Sequence, residues 1–160
     1  MSMNIFSLLG IVAISMAIGC GIFIEFWCLQ DPCFLCFLQR GAMLMVALGL
    51  YWNLLYGIRI RHYAYSLLAA LLGLSCSLRH MALNVCYPVE VSTFFFCSYR
   101  IYTWSFLVFF SSLISVSFLL FFYKVTSPSS LRVQNIVGGL LVTVLTLCLF
   151  SILYHKGIAF

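Results

Sequence analysis

Two cysteines three residues apart carry the first chemical signal of the chain, in the stretch DPCFLCFLQRG over residues 31–41. Cys33 and Cys36 open a long apolar run, and Arg40 follows four residues after Cys36. Pro32 suits the first turn of a helix, where its missing N–H costs nothing, and Asp31 suits the cap before it. At i and i+3 the two thiols share one helix face. They also lie near the unpaired N–H groups and positive dipole end, which favour a thiolate. The thiolate is the form that attacks a disulfide. Arg40 falls one turn deeper on the same face, and a charge at that depth in an apolar run is costly enough to mark a functional site.

A second pair follows in NVCYPVEVSTFFFCSYR, where Cys86 and Cys97 flank a short connection containing Pro88. Three chemistries fit the four cysteines. Two local disulfides would staple the connections, although the two-residue spacer between Cys33 and Cys36 constrains little chain entropy. A zinc site would draw its four ligands from Cys33, Cys36, Cys86 and Cys97, but the sequence shows no second CxxC. A redox relay accounts for the helix-start CxxC, the second pair and the embedded arginine together. Thiol–disulfide exchange only passes electrons between pairs, so such a relay needs a terminal acceptor, and within a bilayer a quinone fits. Arg40, always charged and rich in N–H donors, would hydrogen-bond a quinone carbonyl. His80 and Arg79, near the end of the third apolar run, are candidates for the same pocket. His80 also suits an interfacial hydrogen-bonded position, and Arg79 a snorkelling one.

The elements that must position these residues follow from composition. Of 160 residues 65% are hydrophobic and 7% charged, with mean hydropathy +1.18. A soluble domain carries about 25% charged residues, so the class is an integral membrane protein. The formal charge of +5 comes from cations scattered singly, which make no nucleic-acid patch. A spanning helix needs about 20 apolar residues. Five runs qualify: Ile5 to Ile24, with Glu25 marking its end; about Phe37 to Ile58; Tyr63 to about Asn84; Ile101 to Tyr123; and Asn135 to Tyr154. Continuous runs of this length exclude a β-barrel, whose strands alternate over about ten residues. The expected fold is all-α: a polytopic transmembrane helical bundle with a four-helix redox core over residues 1–123. Residues 124–160 add a turn and a fifth, peripheral transmembrane helix.

The start of the chain lacks the basic segment of a signal peptide, and its apolar run exceeds the usual h-region. Cys20, Cys76 and Cys148, inside apolar runs, read as small buried residues. Five spans put Cys28, Cys33, Cys36, Cys86 and Cys97 on one side. Lysine and arginine do not decide the orientation: Arg59, Arg61, Lys124 and Arg132 face one side, Arg40, Arg79, Arg100 and Lys156 the other. Because Arg40 and Arg79 lie within helices, the balance leans toward RIRH (residues 59–62) being cytoplasmic. The cysteines, which need an oxidising compartment to form disulfides, then lie outside.

The sequence PCFLCFLQR, with the loop pair, resembles the DsbB/BdbC family of disulfide bond formation proteins. RHM (Arg79 to Met81) and CSYRIYTW (Cys97 to Trp104) support the resemblance, which covers roughly residues 5–123. The CxxC precedes the loop pair, which separates the chain from the vitamin K epoxide reductase relatives. The resemblance implies a thiol:quinone oxidoreductase of the bacterial inner membrane. It would reoxidise a periplasmic DsbA-like thioredoxin-fold oxidase and pass the electrons to ubiquinone or menaquinone, with both cysteine pairs on the periplasmic side. On it, Cys86 forms the mixed disulfide with the partner and Cys97 resolves it toward Cys33. Cys36 faces the quinone, and Arg40 holds the ring oxygen. Gln39 stands where many members carry Glu, the second loop is short, and Cys28 and the fifth span lie outside the four-helix pattern. A membrane thiol reductase working in the opposite direction, or a structural or zinc-binding membrane protein, are the competing readings.

Overall fold

The computed structural model describes residues 2–28, 34–86, 95–96, 99–122 and 128–158. Five helices run through them: α1 (Ser2–Cys28), α2 (Phe34–Tyr56), α3 (Ile60–Cys86), α4 (Ile101–Phe121) and α5 (Leu131–Ile158). All five are long and apolar enough to cross a membrane. A two-residue antiparallel pair, β1 (Phe95–Phe96) with β2 (Tyr99–Arg100), leads into α4 with Phe95 opposite Arg100. The chain is thus a polytopic helical bundle, as the apolar runs predict. Helices satisfy all their backbone groups internally, which is what a bilayer requires of a spanning segment.

The first helix differs from its sequence reading at one end. It continues past Glu25 to Cys28, because the glutamate is matched inside the bundle, as described below. The second helix stops where Gly57 takes a positive φ of 81°, the left-handed conformation that glycine adopts at no steric cost after a helix C-terminus. Asn53, fully buried, then pins the turn into α3: its Oδ1 accepts from the Arg59 backbone N–H at 3.3 Å and from His62 Nδ1 at 3.1 Å.

Packing follows chain order. Helix α2 lies most extensively against α3, α3 against α4 and α1 against α2, and α4 returns to touch α1. These four close a bundle whose interior holds Ile11, Ile18, Val46, Leu50, Leu54, Tyr63 and Phe109. Side chains such as Phe23, Trp27, Leu72 and Phe118 point outward, which suits a lipid-facing surface. Between membrane helices there is little hydrophobic drive to associate, so small residues that let backbones approach matter most. At Gly49 a Cβ would overlap Ser66 Oγ and come within 3.0 Å of His62 O, while Ser66 Oγ donates to Val46 O at 3.2 Å. Gly49→Val is expected to destabilise the α2–α3 contact by about 1–3 kcal/mol. A lowered thermal aggregation midpoint in detergent checks it, and an unchanged midpoint would show that the close approach is not needed.

The fifth helix lies outside the bundle that α1–α4 close. It lies along α1 and α2 and is fastened to α2 at the Gly57 end. Leu54 O belongs to the last turn of α2, where carbonyls lack intrahelical partners. It accepts from Ser129 N–H at 3.0 Å, Ser129 Oγ at 3.0 Å and Gln134 Nε2 at 3.2 Å. Tyr51 OH also donates to Gln134 O at 3.3 Å.

Candidate active site

The candidate site lies at the opposite end of the bundle. Cys36 sits in the first turn of α2 and is half-buried. Arg40 lies four residues on, so both occupy one face of α2. That face looks toward α1: Arg40 Nη2 forms an ion pair with Glu25 Oε2 and donates to Gly21 O at 3.5 Å. The arginine side chain is 15% exposed and the glutamate 5%. The other carboxylate oxygen, Oε1, accepts from Ser151 Oγ of α5 at 2.8 Å. Three helices therefore meet at one buried carboxylate.

The electrostatics follow from burial. An isolated carboxylate or guanidinium inside an apolar bundle carries a desolvation cost of several kcal/mol, on the order of what only a paired, hydrogen-bonded arrangement offsets. Glu25 and Arg40 supply each other's counter-charge, and Ser151 occupies an oxygen that Arg40 does not. Arg40 has five N–H donors. Among the described residues only Nη2 is engaged, which leaves Nε and Nη1 available to an acceptor from outside the protein. A quinone carbonyl beside Cys36 fits that donor set.

Arg79 and His80 fall near the end of α3. Arg79 is exposed and lines a groove of about 370 Å³ with Phe34, Leu35, Leu38, Cys76 and Leu83. Leu35 and Leu38 flank Cys36 in sequence but lie on the α3 side of α2, whereas Arg40 faces α1. The single pocket expected from sequence is thus divided: Arg40 and Cys36 share one face of α2, and Arg79 borders a groove on another. His80 is half-buried. Cys33 and Cys97 lie outside the described residues, as do Pro32, Asp31 and Pro88. Cys86 and Cys28 are the last residues of α3 and α1. Of the cysteines expected inside apolar runs, Cys148 is buried and Cys76 half-buried, but Cys20 is exposed on the outer face of α1. Among the described residues no group of three His, Cys, Asp or Glu side chains could hold a metal.

Sequence reading missed two members of this site. Glu25 was assigned to the end of a span, although a buried arginine in a chain with three acids calls for a partner. Both residues lie within two turns of the α1–α2 connection, so an antiparallel hairpin brings a carboxylate and a guanidinium with long side chains within reach of each other. Ser151 carries no comparable signal, since only the placement of α5 brings it to Glu25.

A protein-family model described as disulfide bond formation protein DsbB matches residues 3–113. The chain belongs to the DsbB family. The match begins in α1 and ends within α4, so the CxxC, Arg40, Cys86 and Cys97 fall inside it and α5 falls wholly outside. Membership of the DsbB family gives the chain a role in disulfide bond formation and agrees with the multi-pass helical bundle. No curated protein and no solved structure is significantly similar to it.

Proposed function

We propose that the protein is a membrane thiol:quinone oxidoreductase that reoxidises a DsbA-like thioredoxin-fold oxidase outside the cytoplasm. The observation that carries this reading is the shared α2 face: Cys36 in the first turn, Arg40 one turn deeper, and Nε and Nη1 of Arg40 left for an outside acceptor. The start of α2 adds unpaired N–H groups and the positive end of the helix dipole, which favour the thiolate.

In the proposed sequence Cys86 attacks nothing itself: as half of a disulfide with Cys97 it is attacked by a thiolate of the partner, giving a mixed disulfide and releasing the Cys97 thiolate. The partner's second thiol then displaces Cys86, and the partner leaves oxidised. The Cys86–Cys97 dithiol passes its two electrons to a Cys33–Cys36 disulfide through the same exchange chemistry. A bound quinone supplies an acceptor for two electrons and two protons. Cys36 presents the thiolate toward it, and Arg40 orients and polarises its carbonyl oxygen through the remaining N–H donors. The net change is two partner thiols oxidised to one disulfide for each quinone reduced to quinol. Both cysteine pairs lie on the periplasmic side of a bacterial inner membrane in this reading. Arg79 and His80 belong to the outer end of α3, within the same half of the bundle, and border the route a lipid-soluble molecule would take.

The test is direct. The purified protein in liposomes, given a reduced thioredoxin-fold dithiol and a short-chain benzoquinone, is expected to consume one quinone for each disulfide formed. Absence of quinone reduction alongside a folded protein would overturn the proposal. Stoichiometric, tightly held zinc in the same preparation would support the metal-binding alternative instead.

A further inference from the structure

The buried carboxylate is anchored on both oxygens, and one anchor comes from a helix that the family match does not cover. Glu25 is 5% exposed and Ser151 1% exposed. Their hydrogen bond spans 2.8 Å between α1 and α5, and the same carboxylate pairs with Arg40 of α2. The guanidinium is a rigid planar fork. Once Nη2 is tied to Glu25 and Gly21 O, the directions of Nε and Nη1 are set with it. The chain Ser151–Glu25–Arg40 therefore transmits the position of α5 to the donors beside Cys36.

We propose that α5 is a component of the redox site: Ser151, acting through Glu25, is a positioning residue that holds Arg40 in the orientation needed to engage a quinone oxygen next to Cys36. The proposal rests on the thiol:quinone reading above. It gives the fifth helix a function within the reaction, in addition to its packing on α1 and α2. It also explains why a hydroxyl is fully buried on the face of α5 that carries Val144 and Cys148. Without Ser151 the carboxylate keeps its pairing with Arg40 but loses the hydrogen bond that ties Oε1 to α5, and the constraint on the fork from that side is lost with it.

Ser151→Ala, made in the full-length protein, is the central test. The KM for a short-chain benzoquinone is expected to rise about three- to tenfold, less than the full worth of a hydrogen bond to a charged group because Ser151 acts through Glu25, with a smaller change in kcat. Equilibrium binding of the same quinone to the oxidised protein, followed by quenching of intrinsic fluorescence, is expected to weaken by a similar factor. Ser151→Thr, which keeps the hydroxyl, is expected to restore both. A purely structural serine gives a different pattern: Ser151→Ala lowers the thermal midpoint while quinone affinity and KM stay at wild-type values, and that result overturns the proposal. Ser151→Ala removes a single hydroxyl, so it also carries the test should Glu25→Gln, which strands the Arg40 charge, fail to fold. If the wild-type protein does not reduce quinone at all, the functional reading falls. Quinone binding that is unchanged by Ser151→Ala in an active protein sinks the positioning role alone.

Discussion

Cys36→Ser is expected to abolish the proposed quinone reduction, with turnover falling by about a thousandfold or more, because a serine hydroxyl is not ionised at working pH and forms no disulfide. The fold is retained, since a half-buried sulfur at the start of α2 is replaced by an atom of smaller size. What survives is informative. The Cys86–Cys97 pair, if oxidised at the outset, still accepts one pair of electrons from a reduced partner. One equivalent of partner disulfide therefore appears and the reaction stops. Counting partner disulfides against quinol in a single experiment checks both halves. A Cys36→Ser protein that turns over at the wild-type rate would remove Cys36 from the role assigned to it and return the relay to an open question.

The second large effect is on stability. Arg40→Met removes the guanidinium that pairs with Glu25, which is 5% exposed, and breaking one partner of such a buried pair costs about 3–5 kcal/mol. Glu25→Met breaks the pair from the other side. The double variant replaces both charges with apolar groups of comparable length, and exchanges of that kind are often neutral or stabilising. The expected result is therefore strong non-additivity: each single variant unfolds at much lower temperature or denaturant, and the double variant recovers most of the loss. It stays inactive toward quinone because the donors are gone. Single-variant losses that simply add in the double would show that the pair is not coupled, and would weaken every inference drawn from the three-helix junction.

Much of the architecture was legible because membrane spans are written in composition. Runs such as Ile101 to Tyr123 and Asn135 to Tyr154 became α4 and α5 with ends displaced by a few residues. The pairing of Cys36 with Arg40 on one face followed from helical spacing alone. The failures share one physical cause. A helix that is apolar all round gives no periodic signal for which face packs inward, so Cys20 reads as buried and lies exposed, and nothing in α5 singles out Ser151 as a residue of the junction. Glu25 was taken as the edge of a span because a charge ordinarily stops one. Burial beside Arg40 cancels that rule, and only the nearness of residues 25 and 40 to their shared connection hints at it. The division between the Arg40 face and the Arg79 groove depends on how α2 is rotated against its neighbours, and no single-helix pattern encodes that rotation.

The clasp of Leu54 O by Ser129 and Gln134 has a consequence for the length of the fifth helix. Gln134 is fixed at one end of α2, and Ser151 meets Glu25 near the other. At about 1.5 Å per residue the two lie about 26 Å apart along α5. With both ends fastened, the helix is a ruler whose count of residues sets where the hydroxyl falls. One residue more or fewer between them turns Ser151 by about 100° about the helix axis, away from the carboxylate. Exposed apolar side chains along this stretch, such as Leu145 and Leu149, are interchangeable at little consequence, but the number of residues is not.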